Sequence, residues 1–300
     1  MRKTCLGVML LIWPSLLQAQ EPRFIRLKEQ DGQVTALEVA VTRYTNKDKS
    51  VTVDLVGVVH IGDRPYYKTL NERFEQYDAV LYELVAPPGT KVPKGGKSDS
   101  PFALIHTLIS TLLDLDSQLA CIDYRRKNFV HADLSFEAMK EAARERGEDG
   151  LTLGLSLLAD VLRQQNLAAR KKKEARPAPD VDLVEALANP NLLKRELAKQ
   201  LAGGADLGQT LQTLLVADRN KEACRVLTRQ LVDGKKKVAI FYGAAHMPDF
   251  DRRLRDEFGL TRQGQEWLTA WDLRDDPDAA ARRLRSLLER ALEEALTPPK

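Results

Sequence analysis

Two of the four histidines in the chain end the same short pattern, Gly-x-x-His. Gly57 precedes His60, and Gly243 precedes His246, and each motif follows an apolar run. Glycine makes up about 7% of residues in proteins, so finding it at this position before two of four histidines is uncommon by chance. Imidazole serves as a metal ligand or as a general base. The repeated motif predicts a shared functional site, and packing of both rings at strand ends is the alternative.

A glutamate inside an apolar run is the third candidate. Glu83 lies in residues 79–85 (AVLYELV), where a buried carboxylate is costly unless it is paired, protonated or bound to a cation. Side chains along a strand point alternately to its two faces, so Glu83 would lie on the face opposite to Tyr82 and Leu84. A glutamate exposed at the edge of the sheet is therefore the alternative. Two imidazoles, His60 and His246, together with one carboxylate form a ligand set for divalent Zn, Mn, Co or Fe that leaves a position for water.

Two further pairs of polar residues could line the same cleft. Arg219 and Asn220 lie late in a helical segment, where a guanidinium could pair with Glu83 or hold a carbonyl or carboxylate of a substrate. A solvated helix face is the alternative. His131 and Asp133 are two residues apart and share a strand face, although Asp133 could instead belong to the cap of the next helix.

Three apolar runs predict the strands that would position these residues. Residues 51–60, 79–85 and 237–242 read as strands buried on both faces, and residues 66–77 have the spacing of a helix. A strand, a helix and a strand in close succession indicate a βαβ unit with parallel strands. Ligands of open α/β sheets bind at the carboxyl ends of such strands, so one pocket could receive all three candidates.

Several local signals predict the remaining elements. An Asp-Gly pair within residues 23–45 is typical of a β-hairpin. Residues 119–124 read as a short strand, Ser135 as the N-cap of a helix, and residues 266–273 as an edge strand.

Together these elements predict an α/β fold with a central, mostly parallel sheet built from both ends of the chain. A helical insertion at about 102–233 interrupts it, within a single domain of residues 21–300. Residues 87–101 are rich in Pro, Gly, Lys and Ser, which predicts a mobile loop, and residues 278–296 predict a closing amphipathic helix.

The N-terminus has the pattern of a secretory signal peptide over residues 1–20. Arg2 and Lys3 are positive, residues 6–17 are apolar, and Ala19 is a small residue suited to cleavage. The apolar run is shorter than the ~20 residues needed to span a bilayer, and an uncleaved anchor is the alternative. We therefore expect a periplasmic or secreted protein with no stable membrane insertion after cleavage.

Composition excludes several classes of protein. The chain of 300 residues is 43% hydrophobic and 30% charged, which is ordinary for a folded protein. Its net charge of +3 is too small to drive nucleic-acid binding, so no nucleic-acid partner is expected. The expected partner, a peptide or small-molecule substrate, follows from the hydrolase hypothesis given below. Cys121 and Cys224 would remain after export, and the sequence leaves open whether they pair.

The two Gly-x-x-His motifs, Glu83 and the Arg219–Asn220 pair, in this order, resemble the pattern of the TraB/PrgY/GumN–TIKI family over roughly residues 51–250. The resemblance implies an α/β fold with a helical insertion and a metal-dependent peptidase activity. Erythromycin-esterase-like and haem-binding proteins are more distantly similar. One departure is Val58, where members of the family often have Ser or Thr, which puts a hydroxyl contribution there in doubt.

Carried over to this chain, the resemblance implies that His60, Glu83 and His246 are site residues with Arg219 nearby. The leading hypothesis is an exported metal-dependent hydrolase, a peptidase, in which Glu83 is a ligand or general base and Arg219 stabilises the oxyanion. One alternative is a non-catalytic protein that binds a peptide or haem in the same cleft. Another is a metal-independent, esterase-like hydrolase that uses His and Glu directly.

Overall fold

A computed structural model describes residues 23–92, 113, 115–147, 190–203 and 216–274. Over these residues the chain has the predicted α/β fold, with a seven-stranded mixed sheet and a separate two-stranded sheet. The predicted signal peptide (1–20) and closing helix (278–296) lie outside the described residues. Within the described residues, no helix combines the length and apolar character needed to cross a membrane.

The large sheet contains seven strands. They are β1 (Ile25–Gln30), β2 (Gln33–Thr45), β3 (Thr52–Val58), β5 (Ala79–Tyr82), β7 (Phe129–His131), β8 (Lys237–Gly243) and β9 (Thr261–Asp272). The small sheet pairs β4 (Ile61–Gly62) with β6 (Asp116–Ser117). The helices are α1 (Arg64–Phe74), α2 (Gln118–Cys121), α3 (Phe136–Glu145), α4 (Pro190–Ala202), α5 (Asp218–Val232) and α6 (Met247–Asp256).

The parallel part of the sheet has the order β3-β8-β5-β7. Strand β8 comes from the C-terminal part of the chain and lies between two strands from the N-terminal part, as predicted for a sheet built from both ends. Strand β2 is antiparallel to β1, β3 and β9. Among the described strands of this sheet, β2 is therefore the one that is antiparallel to the common direction of the others.

Helices cover both faces of the sheet, which explains why β3 and β8 are mainly apolar, with Asp54 as a buried exception in β3 that pairs with Arg43. Tyr67, Leu70 and Phe74 of α1 pack on one face, together with Phe241 of β8. The other face is covered by α5 and α6 through four buried side chains, namely Val226, Leu227, Phe250 and Leu254.

Several local predictions are confirmed. Asp31 and Gly32 join β1 to β2 with φ values of 52° and 77°, the positive values that a type I′ hairpin turn requires. Ser135 caps α3, because its side chain accepts a hydrogen bond from the backbone N–H of Ala138 at 3.1 Å. The predicted edge strand at 266–273 forms as the C-terminal half of β9.

The strand predicted at 119–124 is wrong, because these residues begin in helix α2. Ile122 N–H donates to Gln118 O at 3.0 Å and closes a helical turn. An apolar run this short has no decisive periodicity, so its contacts determine its structure. The next strand of the large sheet is β7, which lies within the range predicted as a helical insertion (102–233). The limits of that insertion stay a prediction, since residues 93–112, 148–189 and 204–215 are not described.

The two cysteines within the described residues are free thiols. Cys121 packs against the face of the sheet that α1 covers, whereas Cys224 packs on the opposite face. The sheet therefore separates the two cysteines, and they do not form a disulfide in this structure.

Gly57 of β3 lies in close contact with β2. A Cβ atom at this position would lie 2.9 Å from Val39 Cγ1 and 3.3 Å from Ala40 O. We expect Gly57→Ala to lower the free energy of unfolding by about 1–3 kcal/mol through overpacking. The matched control is Gly264→Ala in β9, where a Cβ would meet nothing within 4 Å. Urea denaturation measures both, and equal midpoints for the two variants would contradict this packing.

Candidate functional site

Four neighbouring parallel strands end at one edge of the sheet, and the chain places a polar residue just beyond each. His60 follows β3, Glu83 follows β5, and Asp133 follows β7. His246 ends the short 3₁₀ turn Ala244–His246 that leaves β8. The carboxyl edge of the parallel strands thus carries the candidates on separate strands, as the sequence predicts.

The Glu83 carboxylate is largely buried and accepts two hydrogen bonds. Its Oε1 accepts a hydrogen bond from Arg219 Nη2 at 2.6 Å, and its Oε2 accepts one from the backbone N–H of Gly243 at 2.7 Å. Its side chain is 11% exposed, so Glu83 is not the solvent-facing glutamate of the alternative interpretation. Burial alone would raise the pKa of Glu83, but the neighbouring imidazoles, Arg219 and the Gly243 N–H outweigh it and lower the pKa to about 2.

Arg219 begins helix α5 and joins two carboxylates. Its Nε and Nη2 donate to Asp133 Oδ1 and Oδ2 at 2.9 and 2.7 Å, which is a bidentate pair, and Nη2 also reaches Glu83. Arg219 and Asp133 are both buried, at 7% and 5% exposure, so Arg219 does not lie on a solvated helix face. Burial lowers the pKa of Arg219, but its bonds to Asp133 and Glu83 outweigh that effect and raise it.

The His246 ring is held by Asn220. Its Nδ1 lies 2.6 Å from Asn220 Oδ1, while Asn220 Nδ2 donates to His246 O and to Asp249 Oδ2. Because the amide oxygen only accepts, Nδ1 carries the proton and Nε2 carries the lone pair. His246 Nε2 lies 3.6 Å from Glu83 Oε1 and 3.4 Å from Arg219 Nη1. Burial lowers the pKa of His246 to about 4, despite the attraction of Glu83.

His60 is exposed, and its Nε2 lies near Gly243, as do Glu83 and His246. A Cβ atom at Gly243 would lie 3.3 Å from Glu83 Oε2, 3.5 Å from His60 Nε2 and 3.7 Å from His246 Cδ2. The three predicted ligands therefore converge on the space above Gly243. Any side chain there would crowd them, which is a reason for glycine at this position.

Among the described residues, the charges joined by these ion pairs do not balance. The carboxylates of Glu83 and Asp133 both face the guanidinium of Arg219, and the bidentate pair is the one with Asp133. The charge of Glu83 is the excess, and each of its oxygens keeps a lone pair beyond the bonds described above. A buried excess of negative charge next to two imidazole nitrogens favours a cation.

The donor set fits a divalent metal in its chemistry. Both histidines have Nδ1 against a side-chain amide oxygen and Nε2 toward Gly243 or Glu83, and a hydrogen bond at the second ring nitrogen is what orients metal-ligating histidines. In the described part of the chain, however, no three His, Cys, Asp or Glu side chains are drawn together tightly enough to form a metal site.

Two predicted cleft residues lie outside this cluster. Gly57 is buried beneath β2, next to Val39 and Met247, where it serves packing. His131 Nε2 lies 2.7 Å from Leu84 O, and its ring packs against Tyr82. Of the pair His131 and Asp133, the structure therefore joins only Asp133 to Arg219.

Sequence reasoning missed Gln118 and Asp249. Gln118 Oε1 lies 2.9 Å from His60 Nδ1, and Asp249 accepts from Asn220 Nδ2 at 2.9 Å. Gln118 carries no motif and lies 58 positions from His60. Asp249 follows His246 by three residues, and this short spacing was the one feature of the sequence that could have pointed to Asp249.

Comparison of the chain with protein-family models, with curated proteins and with solved structures finds no match. The resemblance to the TraB/PrgY/GumN–TIKI family accordingly stays a prediction. What the fold and the site define together is an α/β protein with a buried Arg–carboxylate cluster at the carboxyl edge of its sheet, flanked by two histidines.

We expect the metal-free protein to lose stability through His246 as the pH falls from 6.5 to 4. Its pKa is 6.5 ordinarily and about 4 in the folded chain, so over this interval the unfolded state binds a proton that the folded state does not. Stability therefore rises with pH there, by up to about 3 kcal/mol. Urea unfolding in a chelator at pH 7 and pH 4.5 measures this. The His246→Gln variant should show a smaller difference between the two, and an equal difference would contradict the assignment.

Proposed function

We propose that this chain is a hydrolase, a peptidase, whose site is formed by His60, Glu83, Arg219 and His246 and binds a divalent metal. The observation that carries the proposal is the convergence of two imidazoles and one carboxylate above Gly243. His60, Glu83 and His246 would hold the metal. When bound, such an ion activates water as a nucleophile at neutral pH and polarises a carbonyl.

The residues of the site have distinct roles in this proposal. Glu83 contributes an oxygen to the ion or accepts a proton from the attacking water. Arg219, fixed by Asp133 behind it, stabilises negative charge that develops on the carbonyl oxygen of the substrate. Since its partners hold it before any substrate arrives, the guanidinium needs little reorganisation during the reaction.

Access to the site is from the side of His60, because His60 is exposed whereas Arg219 and His246 are buried. Two exposed apolar side chains lie close in sequence to site residues, Val85 two positions after Glu83 and Phe136 three positions after Asp133. Val85 is 44% exposed and Phe136 is 62% exposed. These side chains support a substrate with apolar groups, such as a peptide. The proposal also includes export to the periplasm or the medium, which rests on residues 1–20 alone.

The test is hydrolysis of a fluorogenic peptide library by the purified chain after loading with Zn, Mn or Co. Cleavage should stop in a chelator and return when the metal is restored. The double variant His60→Ala, His246→Ala should show no cleavage above background. Turnover that persists in the chelator would overturn the metal mechanism and support a metal-independent esterase. Equal cleavage by the double variant would overturn the site itself.

A second candidate is non-catalytic binding of a peptide or haem in the same cleft. One observation favours it: Glu83 already has a cationic partner in Arg219, at 2.6 Å, which offsets part of its charge before any metal binds. Retention of a peptide or haem with no turnover at any added metal would select this function over hydrolysis.

A further inference from the structure

The buried side chain of Gln118 connects His60 to the core. Gln118 is 4% exposed and contacts His60 twice. Its backbone N–H donates to His60 O at 2.9 Å, and its Oε1 lies 2.9 Å from His60 Nδ1. Gln118 therefore holds both the imidazole ring and the backbone of His60.

The other end of the Gln118 amide is held by Tyr124. Gln118 Nε2 donates to the Tyr124 hydroxyl at 2.8 Å, and the Tyr124 ring packs edge-on against Tyr82 and Phe129. In this arrangement the Tyr124 hydroxyl accepts from the amide nitrogen, so the amide oxygen faces His60; a hydroxyl can also donate, and the first test below therefore reads the tautomer directly. An amide oxygen only accepts hydrogen bonds, so Nδ1 of His60 must donate and Nε2 of the neutral ring carries the lone pair.

A side-chain amide also holds His246, and it comes from a different part of the chain. Asn220 Oδ1 faces His246 Nδ1 at 2.6 Å, and Asn220 Nδ2 is held by His246 O and Asp249. Two carboxamides that lie on different helices thus impose the same tautomer on two histidines. In both cases, Nε2 is left without a proton.

We propose that Gln118 is a positioning residue that selects the Nδ1–H tautomer of His60 and orients its Nε2 for a divalent metal. This inference rests on the proposed function for the role of the metal. His246 is buried among several neighbours, whereas His60 is exposed, so the orientation of His60 depends more heavily on its one amide partner. Partners of this kind typically change metal affinity by about 10–100-fold.

The first test reads the tautomer directly, without metal or activity. Long-range ¹H–¹⁵N correlation spectra at pH 8 report which ring nitrogen is protonated, and four histidines give few signals to assign. Spectra of His60→Ala identify the signals of His60. The wild type should show Nδ1–H at His60, Gln118→Met should show a mixture with Nε2–H, and Gln118→Glu should restore Nδ1–H, since a carboxylate also accepts.

The second test is the affinity for Zn²⁺, measured by competition with a chromophoric chelator. Gln118→Met should bind Zn²⁺ about 10–100-fold more weakly than the wild type, and Gln118→Glu should recover most of the loss. Unchanged His246 signals in each variant show that the fold is retained.

The outcomes separate this inference from the proposed function. Nε2–H at His60 in the wild type, or pure Nδ1–H in Gln118→Met, would overturn the positioning role, as would equal Zn²⁺ affinity of the two proteins. A wild type with the expected tautomer that binds neither Zn, Mn nor Co would contradict the proposed function. The selection of the tautomer by Gln118 would then still stand on the spectra.

Discussion

Arg219→Met should lower the free energy of unfolding by about 3–5 kcal/mol at pH 7, the usual effect of removing one partner of a buried ion pair. Methionine retains much of the apolar stem but leaves two carboxylates without their cation. The side chains of Asp133 and Glu83 are 0% and 11% exposed, so water cannot replace the guanidinium. Urea denaturation of both proteins in a chelator measures the loss.

The matched control lies on the same helix. Arg225 pairs with Glu222 one turn along α5, but its side chain is 58% exposed. Arg225→Met should therefore change stability by no more than about 1 kcal/mol. A similarly small effect for Arg219→Met would mean that the cluster of Arg219, Asp133 and Glu83 does not form in solution.

Glu83→Gln should lower kcat/KM for peptide hydrolysis by about 10²–10⁴-fold, the range associated with loss of a general acid–base group. The change keeps the shape of the side chain but removes its charge. Both partners of the carboxylate, Arg219 Nη2 and the Gly243 N–H, are donors, so the amide nitrogen of glutamine would face a donor. The site loses its excess negative charge and one good hydrogen bond together.

Glu266→Gln is the control for this change. Glu266 pairs with Arg73 on the surface, and its side chain is 56% exposed, so activity should stay at the wild-type level. Rates are compared per folded molecule, with the folded fraction taken from unfolding curves. If Glu83→Gln retains more than a tenth of wild-type activity, then Glu83 is neither an essential ligand nor the general base.

Sequence periodicity located the strands that position the site because helices cover both faces of the sheet. That burial makes β3 and β8 mainly apolar, and such runs are visible without a structure. The repeated Gly-x-x-His pattern marked His60 and His246 for a local reason, since both follow the ends of such strands. Ser135 and the Asp31–Gly32 turn were also predictable, because caps and tight turns depend on few residues.

The partners of the site residues were not predictable, because they meet only through the fold. Asp133 lies 86 positions from Arg219 and had an equally good role as part of a cap. It in fact accepts from the N–H of Leu134 as well as from Arg219. His131 was an equally good candidate from the sequence, yet its ring is hydrogen-bonded through Nε2 to Leu84 O. Side-chain direction at the end of a strand decides between such residues, and spacing does not determine it.

The central claim is that His60, Glu83 and His246 bind one divalent metal, and metal content tests it most directly. The purified chain is loaded with Zn, Mn or Co, dialysed, and measured by elemental mass spectrometry beside Glu83→Ala and His246→Ala. We predict about one ion per wild-type chain, as expected for a three-ligand site, and loss of that ion in both variants. A wild type that retains none of the three metals would contradict the claim.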